Sequence, residues 1–338
     1  MRILAFESSC DETSVAILDG DEIKANLISS QDFHTLYGGV VPELSSRAHI
    51  QRINPLLKNA LEISGFTLQD IDIVAATAGP GLIGALMIGL IYAKGLAFST
   101  GKKFIPVNHI EGHTFSGFLM EQKPRFPFLC LMVSGGHSLL FFVESTTKIQ
   151  LLGTTIDDAV GEAFDKVAKL LGLGYPGGPS IQRYALSGKK GVYHFPKANV
   201  QGKYDFSFSG LKTSVLRQVQ KLKTHNPLLA EEQKSDIAFA FQDSAVSALI
   251  DKTKLAIRDY HPASITLVGG VAANAALRKA FFELGNTFSI PSIIPRIEYC
   301  GDNAAMIAYR AKTLAEAGLK YGFDYEAFPS FTSQFLTA

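Results

Sequence analysis

The sequence predicts an α/β fold of two lobes built on one plan, and three observations carry that expectation. A strand–turn–strand pattern occurs twice, as RILAF-ESSCDET-SVAIL (2–18) and FLCLMV-SGGHS-LLFFV (128–143). Apolar runs broken by short polar or glycine-rich turns read as hairpins. Elsewhere apolar strands alternate with helical segments, the pattern of helices packed on sheets. With 338 residues, 47% apolar and 19% charged, the chain can fill about two cores and is not disordered.

The elements follow in chain order. After the first hairpin, PELSSRAHIQRINPLLKNALEIS begins at Pro42, a good first helical position, and predicts a long helix. DIVAATA (72–78) reads as a buried strand, 82–98 as a glycine-rich helix, and KFIPV (103–107) as a strand. Beyond the second hairpin come a helix over about 157–171, an irregular glycine- and lysine-rich region (172–212) and a long helix around 230–258. The strand SITLVGG (264–270) feeds the helix AANAALRKAFFEL (272–284), and a last helix follows GDN (301–303). The expected division is 1–108 for lobe I, with the C-terminal helix 302–322 packed on it, and 109–301 for lobe II, which would bind both nucleotide and metal.

Composition narrows the setting. The net charge of +1 advertises no global attraction to nucleic acid, so such a partner needs a local patch. Cys10, Cys130 and Cys300 lie far apart without a CxxC, the usage of a reducing compartment. The uncharged run Gly81–Ala93 is shorter than the roughly 20 residues that cross a bilayer, so 82–98 is expected as a buried helix and no membrane as a partner. No signal peptide is legible, and a cytoplasmic location is expected.

In PVNHIEGHTF, Asn108 caps a helix whose first turns carry His109 and His113 on one face. The positive helix end is expected to keep both rings neutral, the form that binds metal. The pair admits two readings, a metal site or histidines that merely line a helix. A zincin would require H-E-x-x-H; Glu111 lies about 200° around the helix from His109, which removes the base of a metallopeptidase. Asp302, just before a helix, is the third candidate ligand or simply that helix's N-cap. Two histidines and a carboxylate are compatible with Fe(II) or Zn(II).

Gly79, Gly81 and Gly84 match G-x-G-x-x-G, but no acidic residue ends the next strand, so they read as close-packing residues. VSGGHS (133–138), YPGGPS (175–180) and VGGVAAN (268–274) are three glycine turns in one half, and no Walker motif accompanies them. Such turns can present N–H groups to a phosphate or nucleoside, as in the actin, sugar-kinase and Hsp70 type of site. In DDAVGEAFDKVAKLL, Asp158, Glu162 and Asp165 oppose the apolar face. They form a solvated face, or Asp165 takes ribose hydroxyls.

Taken in order, ESSCDETSVAI, GGVVPELSSR, NHIEGH, VSGGH, DDAVGEAFDK, YPGGP, FSFSGLKT, VGGVAAN and GDNAAMIA resemble the motifs of one family. It is the bacterial tRNA N6-threonylcarbamoyladenosine synthase transferase subunit, formerly labelled O-sialoglycoprotein endopeptidase. The resemblance runs from about residue 3 to about residue 310. It implies an actin-like ATPase-type fold of two lobes and transfer of threonylcarbamoyl from threonylcarbamoyl-AMP to the adenosine after the anticodon in tRNA. It further implies that His109, His113 and Asp302 hold the metal. Met132, Val133, Ser134, Gly135, Gly136, Asp165, Gly178 and Asn274 would hold the adenylate, and Asp11 would be the catalytic, essential acid near the reacting group. A paralogous non-catalytic subunit and a small ATPase are the implied helpers. Two departures stand out: Gln182 replaces an acid that many relatives use near the ribose, and Met132 replaces a tyrosine of archaeal relatives.

For the RNA, Arg183–Lys223 holds nine basic residues against Asp205 alone, interleaved with aromatics, and reads either as a phosphate-binding patch or as a solvated basic region. Competing functions are an actin-fold small-molecule kinase or ATPase, a metallopeptidase, and a non-catalytic scaffold that docks through helix 82–98.

Overall fold

A computed structural model describes residues 1–37, 39–198, 200–225 and 228–331. Along the chain run β1 (Arg2–Glu7), β2 (Glu12–Asp19), β3 (Glu22–Ser30), α1 (Pro42–Ser64), β4 (Ile73–Gly79), α2 (Ile83–Thr100), β5 (Lys103–Asn108) and α3 (His109–Phe115). Next come β6 (Phe128–Val133), β7 (Ser138–Val143), β8 (Ile149–Thr154), α4 (Val160–Leu171), α5 (Gly177–Ala185), α6 (Ser209–His225) and α7 (Glu231–Tyr260). The series closes with β9 (Ser264–Val268), α8 (Ala275–Phe288), β10 (Ser292–Ile293) and α9 (Ala304–Glu316).

The chain forms two compact units. The first comprises Met1–Lys123, Ser145–Ile149 and the chain from Gly301 onward. Its sheet has the order β3-β2-β1-β4-β5, with β1–β2–β3 antiparallel and β1, β4 and β5 parallel. β4 is buried along its whole length and β1 nearly so, as continuous apolar runs in strands covered on both faces require. Leu4, Phe6, Val15, Ile17, Val74 and Ala76 form the centre of this core with Ile53 and Leu57 of α1 and Leu90 of α2. Gly65 and Gly101 end the two helices in the left-handed conformation that glycine adopts without strain.

The second unit comprises Pro124–Glu144 and Gln150–Cys300. Its sheet has the order β10-β9-β6-β7-β8, with β6–β7 antiparallel and β6, β9 and β10 parallel. Read from the other edge, this is the first unit's order strand for strand: a hairpin, a third strand outside it, and two parallel strands beside its first member. The two hairpins read from the sequence are therefore equivalent parts of two equivalent sheets.

Three expectations change. The division falls at Lys123/Pro124 instead of 108/109, because α3 packs on α9; both histidines stay in the first unit. YPGGPS is not a loop but opens α5, whose Ile181 and Ala185 bury against the second core. The glycine-rich helix α2 is buried on one face only, through Ala85, Leu86, Leu90, Ala93 and Ala97, while Ile83, Met87, Ile91 and Phe98 face outward. By length and composition alone it could cross a membrane, the single such helix among the described residues.

Candidate metal centre and nucleoside pocket

In the first unit, β5 runs directly into α3, whose N-cap Asn108 accepts from the N–H groups of Ile110 and Glu111. This fixes His109 and His113 one turn apart, with ring centroids 4.7 Å apart and perpendicular. Asn303 caps α9 in the same way, accepting from Met306 N–H, and leaves the neighbouring Asp302 to project its carboxylate. Two features bring the elements together. Gly112 has no side chain where a Cβ would stand 2.8 Å from Ile307 Cδ1, so α9 lies close on α3. Glu111 forms a buried ion pair with Arg310, 2.7 Å to Nε and 2.5 Å to Nη2.

Asp302 Oδ1 then lies 2.9 Å from His113 Nε2 and 3.5 Å from His109 Nε2, and the three donor atoms fall within 4.8 Å of one another. Ligands each about 2.1 Å from one ion stand roughly 3.0–3.4 Å apart at octahedral or tetrahedral angles. The donor set thus fits a divalent cation. His113 Nδ1 is buried without a hydrogen-bond partner among the described residues, so no acceptor competes to turn that ring away.

Glu7 and Ser9 complete the arrangement, and neither was singled out from the sequence. His109 Nδ1 lies 3.1 Å from Glu7 Oε2 and 3.2 Å from Ser9 Oγ. Glu7 is itself satisfied by Ser9 N–H at 2.6 Å and the Thr77 hydroxyl at 2.5 Å. A carboxylate behind a ligating histidine fixes its tautomer and raises its basicity. The available signal was an acid ending the otherwise apolar strand RILAFE.

The helix end does not keep His109 neutral as expected. Burial opposes its protonation, but the Asp302 and Glu7 carboxylates outweigh burial and raise it to about 9. Glu7 is lowered although burial pulls the other way, because His109 stabilises its charge. Burial, with Asp302 and Asp11 beside it, pushes Glu12 to about 10 and also raises the Cys10 thiol. Asp11 lies in the β1–β2 turn, its carbonyl held by Gln31 N–H at 3.1 Å.

The second unit holds a cavity of about 310 Å³. Gly135, Asp165, Gly178 and Asn274 line it, together with Phe164, Pro179, Gln182, Val271 and Ile297, which include side chains not singled out before. Met132 and Val133 are buried in β6; Ser134 and Gly136 belong to the turn beside Gly135. Asp165 accepts Gly177 N–H at 2.7 Å, and burial raises its carboxyl. Asn274 caps α8 through Leu277 N–H and donates to Gln242, so its amide is committed to the protein frame. Gln182 accepts from Ala275 N–H at 2.7 Å, a contact a carboxylate could equally make.

Part of the basic run Arg183–Lys223 is met by acids from elsewhere in the chain. Lys189, Lys197 and Lys203 pair with Glu232, Asp251 and Asp259, and Lys212 pairs with Asp158. Phe195, Phe206 and Phe208 are buried core residues and offer no face to a base.

A family profile described as "tRNA N6-adenosine threonylcarbamoyltransferase" (TsaD) matches residues 22–309. The tRNA N6-adenosine threonylcarbamoyltransferase of Thermosipho africanus is 46% identical over 98% of this chain and 99% of its own. That of Clostridium perfringens is 48% identical over 91% of each. Among solved structures, HypF of T.kodakarensis aligns with a TM-score of 0.65 at 14% identity, over 94% of this chain and 48% of that one. The activator of 2-hydroxyisocaproyl-CoA dehydratase from Clostridium difficile aligns at 0.52 and 13% identity, over 95% and 99%. These structures bear on the fold, which is the actin-like ATPase type.

Proposed function

From the premise that the chain belongs to the tRNA N6-adenosine threonylcarbamoyltransferase family, a transferase family, we propose its reaction in detail. Threonylcarbamoyl passes from threonylcarbamoyl-AMP to N6 of the adenosine following the anticodon in tRNAs that read ANN codons. The new N6–carbon bond forms as the bond from the carbamoyl carbon to the AMP oxygen breaks, and AMP leaves with that electron pair. Asp11 accepts the proton lost from N6. Asp165 accepts ribose hydroxyls of the donor, and the N–H groups at Gly135 and Gly178 meet its phosphate.

His109, His113 and Asp302 would hold one divalent ion, Fe(II) before Zn(II). When bound, such an ion supplies Lewis-acid polarisation and orientation of the carbamoyl group. The observation that supports this reading most is the convergence of two imidazole Nε2 atoms and one carboxylate oxygen, His113 and Asp302 being 189 residues apart in the chain. It disfavours a kinase, which has no use for this donor set. The metallopeptidase reading is weaker still, because Glu111 is tied to Arg310 and is no base.

We further assign the outward apolar face of α2 to a paralogous non-catalytic subunit, a small ATPase as the second helper, and the cytoplasm as the location. The test supplies the metal-loaded enzyme and its helpers with synthetic threonylcarbamoyl-AMP and a tRNA transcript, followed by nucleoside mass spectrometry. Threonylcarbamoyladenosine is expected, with Asp11→Asn slowing turnover about 10²–10⁴-fold. No modified nucleoside, with phosphoryl transfer from ATP to a small hydroxylated compound instead, would establish the kinase.

A further inference from the structure

The β1–β2 turn that carries Asp11 and places Ser9 against His109 is held from its outer side by a buried polar network. Ser45 and His49 lie on the first turns of α1, and both side chains are fully buried. Ser45 Oγ donates to the Cys10 carbonyl, and His49 Nε2 lies 3.1 Å from the same oxygen. On the other side of the ring, His49 Nδ1 lies 2.8 Å from Thr13 Oγ1. Gln31 adds its backbone N–H to the Asp11 carbonyl at 3.1 Å.

The chemistry of the partners assigns the ring hydrogens of both histidines. A carbonyl can only accept, so His49 carries its hydrogen on Nε2, and Nδ1 accepts from the Thr13 hydroxyl. His34 Nδ1 accepts from Val41 N–H at 3.2 Å, so its Nε2 donates to Gln31 Oε1 at 2.9 Å. The Gln31 amide nitrogen is thereby turned toward the Ser45 carbonyl at 3.4 Å. It also stands 3.4 Å from His49 Nε2, two donors that form no bond. Burial holds His49 neutral, as this pattern requires.

We propose that His49 is a positioning residue for the transfer: it fixes the Cys10 peptide and so aims the Asp11 carboxylate that follows. Two consecutive carbonyls, those of Cys10 and Asp11, are gripped by three donors, two from α1 and one from Gln31 just after β3. That is more constraint than a surface turn needs, and it falls where the reacting group is mounted. A misplacement near 1 Å at such a group costs about 10²-fold in rate. The proposal rests on Asp11 as the group that takes the N6 proton.

His49→Leu keeps the volume and removes the donor; His49→Gln restores a donor at the Nε2 position. With its helpers present, the Leu variant is expected to lose 10–100-fold in kcat with KM values for donor and tRNA within about twofold, and the Gln variant to recover most of that loss. ¹⁵N-histidine NMR of the wild type should show one neutral Nε2–H ring that persists from pH 6 to 8. In an Asp11→Asn background, His49→Leu should cost little more, since both act on one step. A Leu variant with normal kcat, a Gln variant no better than Leu, or a full additional loss on top of Asp11→Asn would each overturn the proposal. An Asp11→Asn enzyme with normal turnover would instead remove the Asp11 assignment itself, whatever His49→Leu does.

Discussion

At His109 the competing effects can be ranked by size. A helix N-terminus disfavours an imidazolium by about 0.3–1 kcal/mol, whereas a charge pair near 4 Å is worth about 4 kcal/mol at an effective dielectric of 20. Two carboxylates at 3.1 and 3.5 Å therefore prevail, and His109 titrates near 9 in the metal-free chain. Its folded-state value exceeds the ordinary value of about 6.5. The contribution to stability is thus fully present below about pH 6.5 and is lost as pH rises through 9. Binding of the proposed metal would run the other way, because the ion would displace this proton: affinity should strengthen up to about tenfold per pH unit until pH 9. Calorimetry at pH 7 in two buffers of different ionisation enthalpy should register close to one proton released per ion. The three candidate ligands could be picked out because the His spacing and the GDN turn are local signals, and the family motifs joined them. Glu7 and Ser9 were not, since their role depends on β1 and α3 meeting in space, and no spacing in the sequence encodes that.

Among elements, the α3–α9 pairing does the assembling. Arg310 is fully buried, paired with Glu111 and stacked 4.2 Å over the Phe115 ring. Arg310→Met would leave the Glu111 carboxylate buried without its cation, which costs about 3–5 kcal/mol. A lower midpoint in urea is expected, together with weaker metal binding in the fraction that stays folded, since Asp302 rides at the head of α9. Retention of wild-type stability would show that the pair contributes nothing to the docking. Most helices were readable from caps and periodicity, as at Pro42 and Asn108. α5 and α6 were the exceptions: no helix was expected over Ser209–His225, and the glycines and prolines of α5 signal a turn that becomes a helix only through burial of Ile181 and Ala185. The net charge of the basic run was overcounted for a related reason. A segment's charge count omits the acids of α7 that meet it from elsewhere in the chain.

On the scale of the whole molecule, the candidate metal ligands belong to one compact unit and the cavity proposed for the nucleoside to the other. Asp165→Ala should therefore weaken binding of AMP about tenfold, measured by calorimetry, while metal analysis still finds one ion per chain. Loss of both together would mean that the two units do not fold as separate cores. The paired hairpins were visible in the sequence as pattern, but the matching order of the outer strands was not, because β3 and β8 lack a distinctive apolar run. The duplicated strand order has a further corollary. Equivalent hairpins need not carry the same bend: the one after β1 is SSCD and the one after β6 is SGGH. The first offers a carboxylate and the second bare backbone, two kinds of turn that a single unrepeated sheet could provide only by giving up one for the other.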